Sequence, residues 1–249
     1  MKYFVLMIQF FTTIPIKVGA MIEEKEFYKG LLYFPLVGLV IGLFNHLFFY
    51  LSSFLGEDAI AIAIYLLSNT LITGALHIDG LADTCDGLLS SRGKEQMLEI
   101  MRDSRIGANG VIAIIMDFFM RFLLILYITP RLRNLAIILG PVLGKGALLF
   151  LIGTSPYGRK TGVGSLFYDE KSRPRIALGL LVTVFIVYLA APYEFLLALI
   201  LCFGILVIYR YFVLNKIAGM TGDTLGAANE IIEISFLLII FTFERFGII

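Results

Sequence analysis

The sequence predicts an all-α fold: a polytopic transmembrane helix bundle of about seven spans, preceded by a short N-terminal interfacial or re-entrant helix. Three observations predict it. Hydrophobic residues make up 59% of the 249 and charged residues 16%, and mean hydropathy is +0.92, which is outside the balance of a soluble globule. Several apolar runs approach the roughly 20 residues that cross about 30 Å of hydrocarbon, without the polar residue every turn that a soluble core helix shows. Lysine and arginine are gathered in alternate loops, the pattern that orients membrane helices.

The spans read at 31–52, 59–78, 108–129, 133–153, 176–191, 195–213 and 231–246. Residues 3–16 are short for a crossing and are interrupted by Gln9, Thr12, Thr13 and Pro15, which suits an interfacial or re-entrant helix. Only Lys2 precedes that stretch and no small-residue cleavage site follows it, so it is expected to stay on the protein. No linker or low-complexity tract divides the chain, and residues 1–249 read as a single integral membrane domain. Cys85 and Cys202 read as small buried thiols rather than a disulfide.

Loops near 17–30, 79–107, 154–175 and 210–230 hold most of the cations, among them Lys17, Lys25, Lys29, Arg92, Arg102, Arg105, Arg159, Lys160, Arg173 and Lys216. The intervening loops hold only Arg131 and Arg133. With seven spans the two sets alternate, which places the four long basic loops together on the cytoplasmic side of the cell (inner) membrane. A formal net charge of +1 with mixed signs in the loops gives no sign of nucleic-acid binding.

Three polar segments in those loops could carry chemistry. The first is Thr73 to Gly87, where a span runs into Asp79, Asp83 and Asp86. At about 100° per helical residue, Asp83 falls about 40° from Asp79 and Asp86 about 20° to the other side, so the three share one face. Carboxylates so close repel unless a cation neutralises them, and Mg²⁺ suits hard oxygen ligands that bridge to substrate phosphates. Gly80 and Gly87 read as room for a ligand to approach the backbone. His77 could serve as a base, a phosphate donor or a metal ligand, or simply as a hydrogen-bonded interfacial histidine.

The second segment, Glu99 to Gly110, offers Arg102 and Arg105 to phosphate oxygens and Asp103 to complete a metal site. A basic flank to the next helix would explain the arginines without chemistry, but not Asp103. The third, Gly219 to Glu230, places Asp223 and Glu230 seven apart on one helical face, with Gly222 and Gly226 keeping the surroundings small. Asp223 reads as a further metal ligand, and Thr221, Asn229 and Glu230 as substrate contacts. Arg159 and Lys160 head a glycine-rich segment that is either a phosphate-contacting loop or a topology signal.

Two features read as structural. Asp117 and Arg121, four apart within a span, suggest a buried ion pair holding helices together, with Lys145 in the next span a further intramembrane charge. Small residues at four-residue spacing from Tyr33 to Gly42 fit close helix packing.

Taken together, Phe11-Thr12-Thr13-Ile14-Pro15, Phe34-Pro35-Leu36-Val37-Gly38, the segment from Gly74 to Gly87, Met101 to Gly107, and Thr221 to Ala227 resemble, in order, the motifs of the cobalamin synthase family, also called adenosylcobinamide-GDP ribazoletransferases. Cys85 stands where a small residue such as alanine is expected. The resemblance implies joining of adenosylcobinamide-GDP to α-ribazole, or to its 5′-phosphate, with release of GMP and a requirement for Mg²⁺. For that reaction the residues themselves offer His77, Asp79, Asp83, Asp86, Asp103 and Asp223 as the catalytic set, in an enzyme expected to work in the lipid bilayer, with room for a homo-oligomer. Two other readings use the same acids. A CDP-alcohol phosphotransferase would place Asp-Gly three residues after its first Asp and an Ala-Arg soon after, and neither occurs here. A cation-coupled transporter would want its acids near the bilayer midplane, where only Asp117 falls.

Overall fold

The computed structural model describes residues 1–16, 19, 23–190 and 194–249; Lys17 of the first basic loop lies outside the described residues. Among the described residues ten α-helices run in order: α1 (Lys2–Phe11), α2 (Phe34–Ser53), α3 (Asp58–Thr73), α4 (Leu76–Leu88), α5 (Lys94–Ile100), α6 (Ala108–Tyr127), α7 (Pro130–Thr154), α8 (Arg173–Ala190), α9 (Glu194–Ile217) and α10 (Gly222–Arg245). Short 3₁₀ segments at Glu24–Tyr33, Val163–Phe167 and Glu170–Ser172 join them, and no strand occurs among the described residues. Among the described residues six helices are long and apolar enough to cross a membrane, seven if α3 and α4 are taken together as one bent span. The polytopic helical bundle read from composition is therefore the fold.

The second expected crossing, 59–78, differs from its sequence reading. Helix α3 ends at Thr73, where Gly74 and Ala75 both take left-handed backbone, and the chain turns 89° before α4 begins. Sixteen residues rise about 24 Å, short of a full crossing. The turn comes just before the three aspartates, so α4 leaves the direction of the apolar span as its charges begin. Thr13 stabilises the break: its backbone N–H donates to Ile72 O at 2.8 Å and its hydroxyl to Leu71 O at 2.8 Å, occupying carbonyls that the helix end leaves open. Thus α1 and the segment after it are fixed to the end of α3. The last crossing also differs, beginning at Gly222 rather than near 231, so the third acidic segment is its first two turns.

Helix α7 is the most enclosed, packed by α2 on one flank and α10 on another. A Cβ on Gly38 would lie 2.5 Å from Pro141 O, so the small residues of α2 serve the backbone contact expected of them. Polar side chains of α2 and α3 pair inside the bundle: Asn45 Nδ2 donates to Asn69 Oδ1 at 2.8 Å, and Ser68 donates to Asn45 Oδ1. Both cysteines are free, and Cys202 is buried.

The basic segments meet at one end. The Phe27 and Phe167 rings lie 6.3 Å apart, Asp86 receives the N–H groups of Gly107 and Gly110, and Arg159 pairs with Asp223. At the other end Arg133 pairs with Asp58 at 2.8 Å, and Glu244 accepts from Thr129 N–H.

Candidate active site

The site is assembled where α4 crosses the start of α10. A Cβ at Gly80 would lie 2.8 Å from Asp223 O, and one at Gly226 would lie 3.3 Å from the His77 backbone. Gly80 and Gly226 therefore admit helix to helix, and Gly87 faces the Met97 carbonyl and the Met101 side chain. Room for a ligand, the role read for Gly80 and Gly87 in the sequence, gives way to packing. Gly222 does face open space and lines a cavity.

Thr221 caps α10. It is fully buried, its Oγ1 accepts Thr224 N–H at 3.2 Å, and Thr224 Oγ1 accepts Thr221 N–H at 2.8 Å. Thr221, read in the sequence as a substrate contact, is placed by the fold in this capping role. The cap leaves Asp223 in the first turn, at the positive end of the helix dipole. A short backbone pairing brings the next residue in: Met220 N–H donates to Pro156 O at 2.9 Å and Gly158 N–H to Met220 O at 2.6 Å. That register sets Arg159 Nη2 2.8 Å from Asp223 Oδ2.

Asp79 is exposed, and Asp83, Asp86 and Asp223 are half-buried. Asp79, Asp223 and Asp86 are the anionic neighbours of Asp83, and Arg159 its cationic one. The three aspartates of α4 thus lie on one face with Asp223 across from them, as their spacing requires. Asp86 has a second task. Its Oδ2 accepts Gly107 N–H at 2.7 Å and its Oδ1 accepts Gly110 N–H at 2.9 Å, so it caps α6 from outside that helix.

No three of the described acids, histidines and cysteines converge as a ready metal cage. The donor chemistry nevertheless fits a hard divalent cation. Neither Asp79 nor Asp83 has an ion-pair partner among the described residues, and Mg²⁺ is commonly held by one or two carboxylates completed by water and substrate phosphates.

A cavity of about 360 Å³ opens at this crossing, lined by His77, Asp79, Arg159 and Asp223 and by the rings of Phe10, Phe11, Phe34, Tyr157 and Phe167. His77 is buried, 5.7 Å from the Phe11 ring, and its Nε2 has no hydrogen-bond partner. Burial raises the Tyr157 phenol, while the cations Arg159 and, further off, Arg102 pull it down.

The second segment stands apart. Arg102 and Asp103 line an open groove of about 490 Å³ beside α5. Asp103 is bound by Arg105, whose Nη2 lies 2.6 Å from Oδ2 and whose backbone N–H donates to Oδ1 at 3.1 Å. Those bonds hold its carboxyl down at about 2. Asp103 therefore serves its own arginine instead of joining the α4 acids, and Lys160 is exposed outside the cavity lining.

Asn229 and Glu230, expected at the substrate, are buried in a polar network instead. Arg121 joins Asp117 at 2.9 Å, Glu233 at 2.7 Å and Glu230, while Lys145 Nζ donates to Asn229 Oδ1 at 2.9 Å. The face shared by Asp223 and Glu230 is real, but two turns of helix carry Glu230 down into the bundle. The Asp117–Arg121 pair joins α6 to α10 through the two glutamates. What the sequence left unseen was the cavity itself: Phe10, Phe34 and Phe167 belong to distant apolar segments, and only Gly162 and Gly164 signalled the turn that folds Phe167 back.

Fold and site define a polytopic membrane protein with a carboxylate and arginine site suited to phosphate chemistry. The chain matches the family model described as cobalamin-5-phosphate synthase over residues 3–241, and it belongs to that family. It is 45% identical to an adenosylcobinamide-GDP ribazoletransferase of Clostridium novyi (strain NT), with all of both chains aligned. Similar proteins of the same name occur in Clostridium botulinum (strain Langeland), 42% identical over 95% of this chain and 96% of the relative, and in Listeria welshimeri, 43% identical over 92% and 93%. No solved structure matches the chain.

Proposed function

We propose that this protein joins adenosylcobinamide-GDP to α-ribazole, or to α-ribazole 5′-phosphate, releasing GMP, at the cytoplasmic face of the cell membrane. The observation that carries the reading is the meeting of Asp79, Asp223 and Arg159 at a cavity on the basic end of the bundle, with Asp83 beside them. A hydroxyl oxygen of the ribazole ribose attacks the cobinamide-linked phosphorus, the bond from that phosphorus to the GMP oxygen breaks, and GMP leaves. Arg159 orients a diphosphate oxygen by charge-assisted hydrogen bonds, exchanging part of its contact with Asp223 for the phosphate. Arg102, at the neighbouring groove, extends the cationic surface over which the nucleotide approaches. The hydroxyl proton passes to a carboxylate oxygen of the Asp79, Asp83 and Asp223 group. Those carboxylates would hold Mg²⁺, which when bound would neutralise diphosphate charge.

The side of the membrane rests on the four basic loops. The test is direct: purified protein in detergent with adenosylcobinamide-GDP, α-ribazole and Mg²⁺, assayed for GMP and for the cobalamin product. Production of both in equal amounts is the expected result. Absence of both with folded protein removes the reading.

A further inference from the structure

The reaction involves three bulky groups, a corrin, a guanine nucleotide and a ribazole, and a cavity of about 360 Å³ has room for only one of them. We propose that the aromatic part of that cavity seats the benzimidazole-type base of α-ribazole, with His77 as its polar contact. The inference rests on the reading above.

Size makes the first selection. About 360 Å³ is near the small end of ligand pockets, roughly 300–1,000 Å³, and suits a bicyclic base with part of its sugar. A corrin macrocycle with its amide arms is far too large for it.

Chemistry makes the second. Phe10, Phe11, Phe34 and Phe167 form one continuous set of edge-to-face rings, with centroids 4.8–5.2 Å apart, and three of the four are buried. Such a wall receives another flat ring through offset or edge contacts. It offers nothing to the edge of guanine, whose carbonyl, ring N–H and amino group would each lose a hydrogen bond. A benzimidazole riboside has a single exposed polar atom on its base, the unsubstituted ring nitrogen. Among the buried side chains lining the cavity, the imidazole of His77 is the polar one, and its Nε2 is without a partner.

Position is consistent with the chemistry. With the base among these rings, the ribose is directed to the part of the same cavity that holds Asp79, Arg159 and Asp223, where its hydroxyl meets the diphosphate.

Phe10→Leu and Phe167→Leu keep apolar bulk and remove the ring. Each should raise KM for α-ribazole roughly 3- to 10-fold and leave KM for adenosylcobinamide-GDP unchanged, the range that follows from the added value of an aromatic pair. Equilibrium dialysis of α-ribazole alone, without the second substrate, should show the same loss of affinity. Free 5,6-dimethylbenzimidazole should compete with α-ribazole for the wild-type protein. If wild-type turnover is normal and the variants instead raise KM for adenosylcobinamide-GDP, or alter neither KM, the seat is misassigned while the reaction stands. If the wild type yields no GMP, the reaction itself is refuted and this assignment with it. A variant that does not fold is replaced by the wild-type competition measurement, where absence of competition overturns the proposal.

Discussion

Arg159 Nη2 lies 2.8 Å from Asp223 Oδ2, and the contact joins the loop after α7 to the first turn of α10. The pair lines the cavity where phosphate would be held, so the arginine has an anion to exchange for a substrate oxygen.

Arg159→Ala should raise KM for adenosylcobinamide-GDP by roughly 10- to 150-fold, the equivalent of about 1.5–3 kcal/mol for a hydrogen bond to a charged group. KM for α-ribazole should move much less. Steady-state titration of each substrate tests it, and an unchanged requirement for the nucleotide would remove Arg159 from phosphate binding.

The aspartates of α4 should separate into two kinds. Asp79→Asn and Asp83→Asn remove charge without disturbing any hydrogen bond to another helix, so turnover should fall sharply and the Mg²⁺ needed for half-maximal activity should rise. Asp86→Asn leaves one carbonyl oxygen for the two N–H groups of Gly107 and Gly110, so it should also lower stability, by about 0.5–2 kcal/mol as for a lost helix cap. Thermal unfolding in detergent beside activity measures both. Equal unfolding temperatures for the three variants would contradict the capping role.

How far the sequence could be read follows from the range of the interactions. Apolar length and loop charge are local properties, so the helices and their shared basic end were legible. The common face of Asp79, Asp83 and Asp86 was legible too, because helical spacing alone sets it. The 89° break at Gly74 was not, because an α-helix cap and a Thr13 side chain from 58 residues earlier decide it together. The burial of Asn229 and Glu230 was hidden for a related reason: their partners Lys145 and Arg121 lie on other helices, at separations of 84 and 109 residues. The aromatic lining of the cavity comes from α1, the start of α2 and the loop after α7, and leaves no periodic trace.

Asp103 should behave as an arginine partner. Hydrogen bonds from Arg105 lower its carboxyl from the ordinary 3.8 to about 2. A depressed carboxyl adds its contribution above the unfolded value, and that contribution is lost as pH falls through about 2. It stays ionised throughout pH 5–8. Asp103→Asn should therefore leave the shape of the pH–rate profile over that interval and the Mg²⁺ requirement unchanged. A higher Mg²⁺ requirement in this variant would return Asp103 to the metal site.

The buried network should register in stability. Arg121 serves three carboxylates on two helices, and removing it leaves charges unpaired in a dry interior. Breaking a buried pair costs about 3–5 kcal/mol, so Arg121→Ala should unfold at much lower temperature or fail to accumulate in the membrane. Asn229→Ala and Glu230→Gln should lower the unfolding temperature and leave both substrate KM values near those of the wild type. A selective rise in either KM would bring those residues back to the substrate.

Membrane orientation has its own test, because the bundle fixes which loops share an end but the charge rule alone assigns that end to the cytoplasm. Ser91 and Thr161 are exposed on the two loops that bracket the site, and Arg131 is exposed at the opposite end. Single cysteines at these positions, in a chain with Cys85 and Cys202 replaced by alanine, should report two faces. Ser91→Cys and Thr161→Cys should react with a membrane-impermeant maleimide only in inverted vesicles, and Arg131→Cys only in intact cells. Labelling of Ser91→Cys and Thr161→Cys in intact cells would place the site outside, away from cytoplasmic nucleotide substrates. Labelling of those two from opposite sides would break the joined loops that hold Arg159 against Asp223, and with them the single site.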